Sequence, residues 1–303
     1  MSQGQAAPAT DGAFTQTDWA LFVSIAGIWG SSFLFIAIGL EAFEPGVITW
    51  LRVALGAATL RLLRGSRLRL DRADRARMVA LSVIWTAIPF TLFPLAEQHV
   101  NSAVAGLLNG STPMFAALFA VAFFGRRTNG PQLLGLVVGF GGVVLISLPS
   151  LGEGSSQALG VLMVLVASAC YGLAVNIAVP LQDRYGSRPV IARMLALASV
   201  WTLPFALVGF PGSELELPSV LAVGVLGVVG TGLAYLLMGT LVSRVGPTRA
   251  SFITYLIPVV ALVLGVVFRD DEVAPIAVVG VAFVLVGAVL AGRREKTAVV
   301  PGD

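Results

Sequence analysis

One segment of this amino-acid sequence occurs twice. Residues 103–145 and 248–290 align at a constant offset of 145 residues, and identical residues recur at spaced positions along both copies. The pairs are Ala105 with Ala250, Pro113 with Pro258, Ala116 with Ala261, Phe123 with Phe268, Gly135 with Gly280 and Gly142 with Gly287. This order excludes chance, so the two halves of the chain must fold into similar units.

The composition is that of an integral membrane protein. Apolar residues make up 57% of the chain and charged residues 12%, with a mean hydropathy of +0.91. Soluble domains carry about 25% charged residues. At about 20 apolar residues per span, the chain has room for roughly ten membrane helices and for no separate soluble domain.

Ten apolar runs are separated by charged residues or by Pro and Gly. They cover residues 19–40, 47–63, 78–96, 102–124, 131–148, 158–180, 189–210, 217–241, 248–268 and 273–292. Residues 1–18 contain no Lys or Arg, so they lack the basic region of a signal peptide and are expected to form a disordered cytoplasmic tail. Residues 293–303 form a second tail.

The charges follow the positive-inside rule when the N-terminus is cytoplasmic. The inner loops and the C-terminal tail then hold 17 of the 19 basic residues, whereas the outer loops hold mainly Asp and Glu. The inner set is Arg61, Arg64, Arg67, Arg69, Arg72, Arg75, Arg77, Arg126, Arg127, Arg184, Arg188, Arg193, Arg244, Arg249, Arg293, Arg294 and Lys296. This distribution explains the basic pI without nucleic acid, and it predicts that both termini are cytoplasmic.

The charges also predict that the second copy is inverted. Arg126 and Arg127 end a run in the first half, and at the same offset the second half has Asp271 and Glu272. An odd number of spans separates the copies, so these equivalent positions lie on opposite sides of the membrane. The predicted fold is therefore all-α, with ten transmembrane helices as two inverted five-helix repeats over 19–148 and 157–292. Inverted repeats are typical of transporters.

Several short motifs resemble the EamA-type branch of the drug/metabolite transporter superfamily. They cover Ile28–Phe33 (IWGSSF), Leu51-Arg52, Pro113, Phe124-Gly125 and Gln132–Gly135 in the first half, and Tyr171-Gly172, Val245–Pro247, Pro258 and Gly280 in the second. The resemblance extends over residues 19–292. Where the family usually has Gly-Glu, this chain has Gly125-Arg126.

This resemblance implies two inverted five-span repeats and alternating-access transport of small organic solutes, commonly amino acids or related metabolites. Export is the expected direction. A drug or lipid-like amphiphile remains an alternative solute. The expected location is the cell (inner) membrane, with membrane lipid and a small solute as partners.

The paired prolines predict a site at the middle of the membrane. Pro113 and Pro258 each leave a carbonyl without its helical donor, on Asn109 and Thr254 respectively, which are equivalent in the two copies. Free backbone groups at this depth suit a solute site or a watery cavity. The alternative is that nearby Ser and Thr hydroxyls bond these carbonyls and the prolines only act as kinks.

Aromatic and small polar side chains at the same level are further candidates for substrate binding. They are Trp29, Ser32, Tyr171, Asn176, Tyr235 and Tyr255, with Trp29 and Tyr171 at equivalent places in the repeats. Rings with a few hydroxyls and amides suit a zwitterionic or amphipathic solute. Each ring could equally serve only in packing.

Ionisable groups inside the apolar runs are rare. Arg52 and Arg193 lie near the ends of their runs and can reach the interface or bond helix-end carbonyls of a neighbouring helix, so anchoring is expected ahead of binding a substrate carboxylate. His99 is the only histidine and is a candidate for binding a proton or a substrate, with Glu97 two residues away. The lack of a carboxylate in the middle of any run favours a facilitator over a proton antiporter.

The remaining features argue against other classes, of which a membrane-embedded lipid-modifying enzyme is kept as the least favoured alternative. The chain has no G-x-x-x-x-G-K-[ST] loop for ATP, and one His and one Cys do not supply a catalytic cluster for a membrane-embedded lipid-modifying enzyme. No enzyme activity, cofactor or metal is therefore expected. Cys170 is predicted to be a core residue. Small-residue faces at Gly135, Gly139 and Gly142, and at Gly224, Gly227 and Gly230, predict close helix packing inside a monomer or in a homodimer.

Overall fold

The structure, a computed structural model, describes residues 14–62, 69–125, 130–152 and 154–291. These residues form helices and short connections, with no strand among them. We label the helices α1 to α10 and count interruptions as internal. They are α1 Gln16–Gly39, α2 Pro45–Leu62, α3 Arg72–Ala96, α4 Ser102–Ala122, α5 Gly130–Gly152, α6 Ser155–Tyr185, α7 Ser187–Gly212, α8 Leu217–Val245, α9 Ile253–Arg269 and α10 Pro275–Ala291.

Seven of these helices are long and apolar enough to cross a membrane, by length and composition. The others are the two short apolar helices α9 and α10, the 18-residue α2 and an unlabelled single turn, Pro247–Ala250, before α9. Helix α1 begins at Gln16, three residues before the expected start, because Thr15 and Asp18 form a reciprocal capping box. The all-helical, multi-span class predicted from the sequence is confirmed.

The helix contacts are symmetric between the two halves. Helices in the same position in each half pack on one another, as α2 with α7, α4 with α9 and α5 with α10. The remaining large contacts occur in matched pairs: α3 with α6 corresponds to α8 with α1, and α4 with α6 corresponds to α9 with α1. The centre of the bundle is therefore built from both halves.

Glycines bring α5 and α10 into backbone contact. A Cβ placed on Gly142 would lie 2.5 Å from the carbonyl oxygen of Gly280, and one on Gly280 would lie 2.7 Å from that of Gly142. Gly135 and Gly287 make the same kind of contact one or two turns away. Only glycine permits this approach, so the predicted small-residue face of α5 is used within the chain.

Helix α1 is interrupted at Ser31, and three further helices are interrupted within the bundle. Residues Ser82–Ala87 of α3 and Val228–Leu233 of α8 are π-helical, at corresponding places in the two halves. Helix α4 breaks at Gly110 and Ser111, just before Pro113. Single-turn π-segments inside α-helices occur frequently at functional sites.

The two ends of the bundle differ in charge. At the basic end, Arg184 pairs with Asp74 at 2.8 Å and Arg244 pairs with Asp18 at 2.5 Å. At the acidic end, Glu41 forms an ion pair with Arg269. The ion pairs of Arg184 and Arg244 thus lie at the basic end, and that of Glu41 lies at the acidic end.

Two groups of sequence predictions lie outside the described residues. Arg126 and Arg127, whose charges were compared with those of the second copy, are not described. Neither are residues 1–13 and 292–303, which hold most of the two predicted tails.

Candidate functional site

Aromatic rings from both halves meet in the middle of the bundle. The ring of Tyr235 in α8 makes edge contacts with Trp29 in α1 at 5.9 Å and with Trp85 in α3 at 6.5 Å between centroids. Tyr171 in α6 stacks on Phe93 in α3 at 5.9 Å. We call these rings, together with Arg52, Phe90 and Thr231, the central cluster.

Arg52 supplies the charge of the central cluster. Its side chain is buried, with 7% of the residue exposed, and its guanidinium lies 3.9 Å from the centroid of the Phe90 ring. Its Nε donates a hydrogen bond to Thr231 Oγ1 at 3.2 Å. Tyr171 and Tyr235 lie within electrostatic reach of the guanidinium. The expectation that Arg52 reaches the membrane interface is therefore wrong, because cation-π and hydrogen-bond partners hold the side chain inside.

The position of Arg52 depends on close packing of α2 against α8. A Cβ on Gly56 would lie 2.6 Å from Thr231 Cγ2, and one on Gly227 would lie 2.7 Å from Leu55 Cβ. The hydroxyl of Thr231 donates to the carbonyl of Leu226 at 3.1 Å, so its oxygen remains free to accept from Arg52. Gly56 and Gly227 thus hold the hydroxyl oxygen of Thr231 beside the guanidinium of Arg52.

A cavity of ≈ 470 Å³ leads from the basic end to the central cluster. Its walls are the last part of α8, from Tyr235 to Ser243, the turn Gly186–Pro189 between α6 and α7, and Leu60 of α2. Gly186 and Arg188 are exposed, whereas Tyr235 is partly buried among the rings of the cluster. The cavity therefore extends from these exposed residues to Tyr235.

Glu97 lies at the acidic end, immediately after the last residue of α3. Both of its carboxylate oxygens are sealed from solvent and have no hydrogen-bond partner among the described residues. Burial holds the pKa of Glu97 well above its ordinary value; the nearby Asp271 acts in the same direction, while Arg52 and Arg269 oppose it. Glu97 and Arg52 thus interact electrostatically without forming an ion pair.

His99 lies away from the central cluster. Its Nδ1 is 2.8 Å from Ser156 Oγ, and its ring lines a second cavity of ≈ 410 Å³ at the acidic end. That cavity is also lined by Asn101 and Glu272. Glu97 and His99 do not form a hydrogen bond or an ion pair with one another.

The polar groups of the other predicted residues are engaged inside the bundle. Ser32 Oγ donates to Ile28 O, Asn176 Nδ2 to Ala116 O and Gly172 O, Thr254 Oγ1 to Ser251 O, and Tyr255 OH to Ala288 O. The carbonyl of Asn109 accepts a hydrogen bond from Thr112 Oγ1 at 2.9 Å. This carbonyl is therefore not free. A nearby hydroxyl bonds it, which is the alternative given above for the paired prolines.

The structure thus brings together three of the predicted residues, Trp29, Tyr171 and Tyr235. Pro258 packs on the other proline-containing helix, since a Cβ on Gly110 would lie 2.8 Å from Pro258 Cγ. Phe90 and Trp85 were not selected from the sequence, because nothing in a run of apolar residues marks one ring over another. The charge of Arg52 inside such a run was the available signal.

The described residues contain no group of three or more His, Cys, Asp or Glu side chains arranged to hold a metal ion. The chemistry of the central cluster is that of recognition: a cation, aromatic faces and hydroxyl groups. Such groups bind the carboxylate and the apolar parts of an organic solute.

Comparisons with known proteins agree with this interpretation. The chain is 27% identical to a probable terminal-alkyne amino-acid exporter of Streptantibioticus cattleyicolor, over 94% of this chain and 97% of that one. It is 24% identical to a probable amino-acid metabolite efflux pump of Escherichia coli, over 95% and 100%. It is also 27% identical to the uncharacterized inner membrane transporter YedA of the same species, over 87% and 86%.

A solved crystal structure has the same fold, with a TM-score of 0.65 at 20% identity over 92% of this chain and 98% of that one. The relatives are transporters rather than enzymes. Together with the long apolar helices, they identify a multi-pass protein of the inner membrane. The profile of the EamA-like transporter family matches residues 18–148 and again 158–293. The chain therefore belongs to the EamA-like transporter family.

Proposed function

We propose that this protein is a secondary carrier that moves amino acids or related metabolites out of the cell by alternating access. The observation that carries the proposal is the central cluster at the end of the basic-end cavity. Its rings come from corresponding helices of both halves: Trp29 in α1 and Tyr171 in α6, and Trp85 in α3 and Tyr235 in α8. A site shared in this way changes shape when one half moves against the other.

The proposed topology has ten membrane spans, α1 to α10, with the basic end and both termini in the cytoplasm. The ion pairs of Arg184 and Arg244 at one end and of Glu41 at the other support this orientation, since basic residues concentrate on the inner side. The two family matches, 18–148 and 158–293, support two five-span units. The cavity that reaches Tyr235 then opens towards the cytoplasm, which suits uptake of a solute for export.

Amino acids are proposed as the solute class on two grounds. The relatives in Streptantibioticus cattleyicolor and Escherichia coli carry amino-acid exporter and efflux names. In this chain, a buried cation beside aromatic rings offers partners to a carboxylate and to an apolar side chain.

Counterflow of radiolabelled amino acids in proteoliposomes tests the proposal. Vesicles with the protein, loaded with an unlabelled amino acid, should accumulate the labelled form, and protein-free vesicles should not. If no amino acid exchanges while an amphiphilic dye does, the solute class is that of a drug or lipid-like exporter. Exchange of neither would contradict the transport proposal.

The same assay examines coupling and the remaining predicted residues. A facilitator exchanges at the same rate with and without a pH gradient. Stimulation by the gradient that disappears in His99→Ala would instead indicate proton coupling through the acidic-end cavity. If Asn109→Ala and Thr254→Ala both leave exchange unchanged, the solute site does not include the level of the two prolines.

A further inference from the structure

Arg52 differs from the two buried aspartates of the described residues. Asp18 and Asp74 are also buried, and each is paired with an arginine, Arg244 and Arg184 respectively. Arg52 takes part in none of the ion pairs found among the described residues. A buried guanidinium without a counter-charge is costly to the folded state, so its retention points to a partner that is supplied from outside.

Glu97 is not the missing counter-charge of Arg52. It lies within electrostatic reach of Arg52, but the two form no ion pair, and both Glu97 oxygens are sealed without a partner. Tyr171 and Tyr235 are the other titratable groups near Arg52. Neither hydroxyl carries a negative charge at neutral pH, since tyrosine ordinarily ionises near pH 10.

The free part of the guanidinium is accessible. Nε is bonded to Thr231, but neither Nη atom donates a hydrogen bond within the described residues. The sealed polar atoms that have no partner belong to Thr86, Glu97 and Ser168, and the Nη atoms of Arg52 are not among them. They therefore reach accessible space although the residue as a whole is 7% exposed.

The geometry holds this donor edge in one orientation. Phe90 covers a face of the guanidinium at 3.9 Å and Thr231 holds Nε at 3.2 Å, so the ring contact fixes the plane of the group and the hydrogen bond fixes its Nε edge. A planar guanidinium with a fixed free edge matches the two oxygens of a carboxylate. Tyr235, at the end of the basic-end cavity, lies within electrostatic reach of the same group.

We propose that the Nη edge of Arg52 is the binding site for the carboxylate of the transported solute, so that the carrier selects organic carboxylates. This inference rests on the proposed function and assigns a substrate group to one residue of the central cluster. The rings of Trp29, Trp85 and Tyr235 then contact the rest of the solute.

Binding to the purified wild-type protein in detergent provides the first test. Trp29 and Trp85 contact Tyr235, so tryptophan fluorescence reports on the cluster. L-Leucine is compared with L-leucinamide, which keeps the side chain and the ammonium group but replaces the carboxylate with a neutral amide. The Kd for leucinamide is expected to be higher by about tenfold or more, as for loss of a hydrogen-bonded charge. Equal affinities would overturn the inference, and this comparison needs no variant.

Variants provide the second test, by counterflow of L-leucine. Arg52→Lys keeps the charge but loses the two-pronged edge, so KM should rise by about tenfold. Arg52→Gln should abolish the preference for leucine over leucinamide. Arg193→Lys is the matched control, because Arg193 is exposed and lies outside the cluster. Size-exclusion chromatography confirms that each variant is folded.

The outcomes separate the two proposals. Absence of amino-acid exchange by the wild type contradicts the proposed function. Exchange by the wild type that is unchanged in Arg52→Lys and Arg52→Gln contradicts only the assignment of Arg52.

Discussion

Arg52 Nε and Thr231 Oγ1 lie 3.2 Å apart, and their hydrogen bond joins α2 of the first half to the π-helical segment of α8 in the second half. The two residues are 179 positions apart in the sequence. The bond therefore ties the orientation of the buried guanidinium to the relative position of the halves.

Thr231→Val removes this acceptor and leaves Nε of a buried cation unpaired. Since hydrogen bonds to charged groups contribute about 1.5–3 kcal/mol, KM for amino-acid counterflow should rise by about tenfold or more, with the protein still folded. Thr202→Val is the control, because Thr202 is also buried but its hydroxyl bonds only within its own helix, to Ala198 O. The same KM for both variants would argue against a role of Thr231 in orienting Arg52.

The contact between α5 and α10 leaves no room at Gly142. In Gly142→Ala the new methyl group would lie 2.5 Å from the carbonyl oxygen of Gly280 and 2.6 Å from the nitrogen of Val284, and backbone atoms cannot move aside as a flexible side chain can. Overpacking of this kind costs about 1–3 kcal/mol. We expect a lower midpoint of thermal unfolding in detergent.

Gly141→Ala provides the control for that substitution. Gly141 is the neighbouring, exposed residue, and a Cβ there meets nothing within 4 Å. Alanine is the better helix former by about 1 kcal/mol, so this variant should be as stable as the wild type or more so. A Gly142→Ala protein that unfolds at the wild-type temperature would contradict the close contact.

Glu97 should make stability depend on pH. Burial raises its pKa well above the ordinary value of 4.5, so the folded protein keeps a proton that the unfolded chain loses near that pH. The stabilising contribution of this protonated carboxyl to the free energy of unfolding is fully present below the ordinary pKa. It is lost as the pH rises through the raised pKa. The side chain introduced by Glu97→Gln cannot ionise, so the stability of this variant does not fall in this way.

The thermal midpoint of Glu97→Gln should therefore rise relative to that of the wild type as the pH increases above the ordinary pKa of 4.5. Glu214→Gln, at an exposed position of the same end, should follow the wild type over the same increase in pH. A constant difference between Glu97→Gln and the wild type would show that the carboxyl is not buried in the folded protein.

Most of the helical architecture follows from the sequence because apolar length and the repeat are local signals. The offset that pairs Gly135 with Gly280 and Gly142 with Gly287 also selects the helices that touch, since two equivalent glycine faces meet across α5 and α10. The rings of Trp29, Tyr171 and Tyr235 could be selected in the same way, from their level in the membrane.

The partners of individual polar groups could not be predicted. The position of Arg52 near the end of an apolar run suggested an interface, but Phe90 and Thr231, on two other helices, hold it inside. Pro113 leaves open whether the carbonyl of Asn109 is free or bonded by a nearby hydroxyl, and in the structure Thr112 bonds it locally. Which donor reaches which acceptor depends on rotamers and on distant helices, and hydropathy reports neither.

The proposed passage of solute through the basic-end cavity to the central cluster can be tested at Gly239. This residue lines the cavity, and a Cβ there meets nothing within 4 Å, so Gly239→Cys is tolerated sterically. The variant is made with Cys170→Ser, which removes the only native cysteine, after that change alone has been shown to keep transport. Ala76→Cys, exposed at the same end but outside the cavity lining, is the control.

The measurement is amino-acid counterflow before and after complete labelling with a bulky, membrane-impermeant maleimide. If solute passes through the basic-end cavity, labelling of Gly239→Cys from the cytoplasmic side should stop exchange, and excess amino acid should slow the labelling. Labelled Ala76→Cys should still transport. Full modification of Gly239→Cys with exchange at the unlabelled rate would contradict this passage.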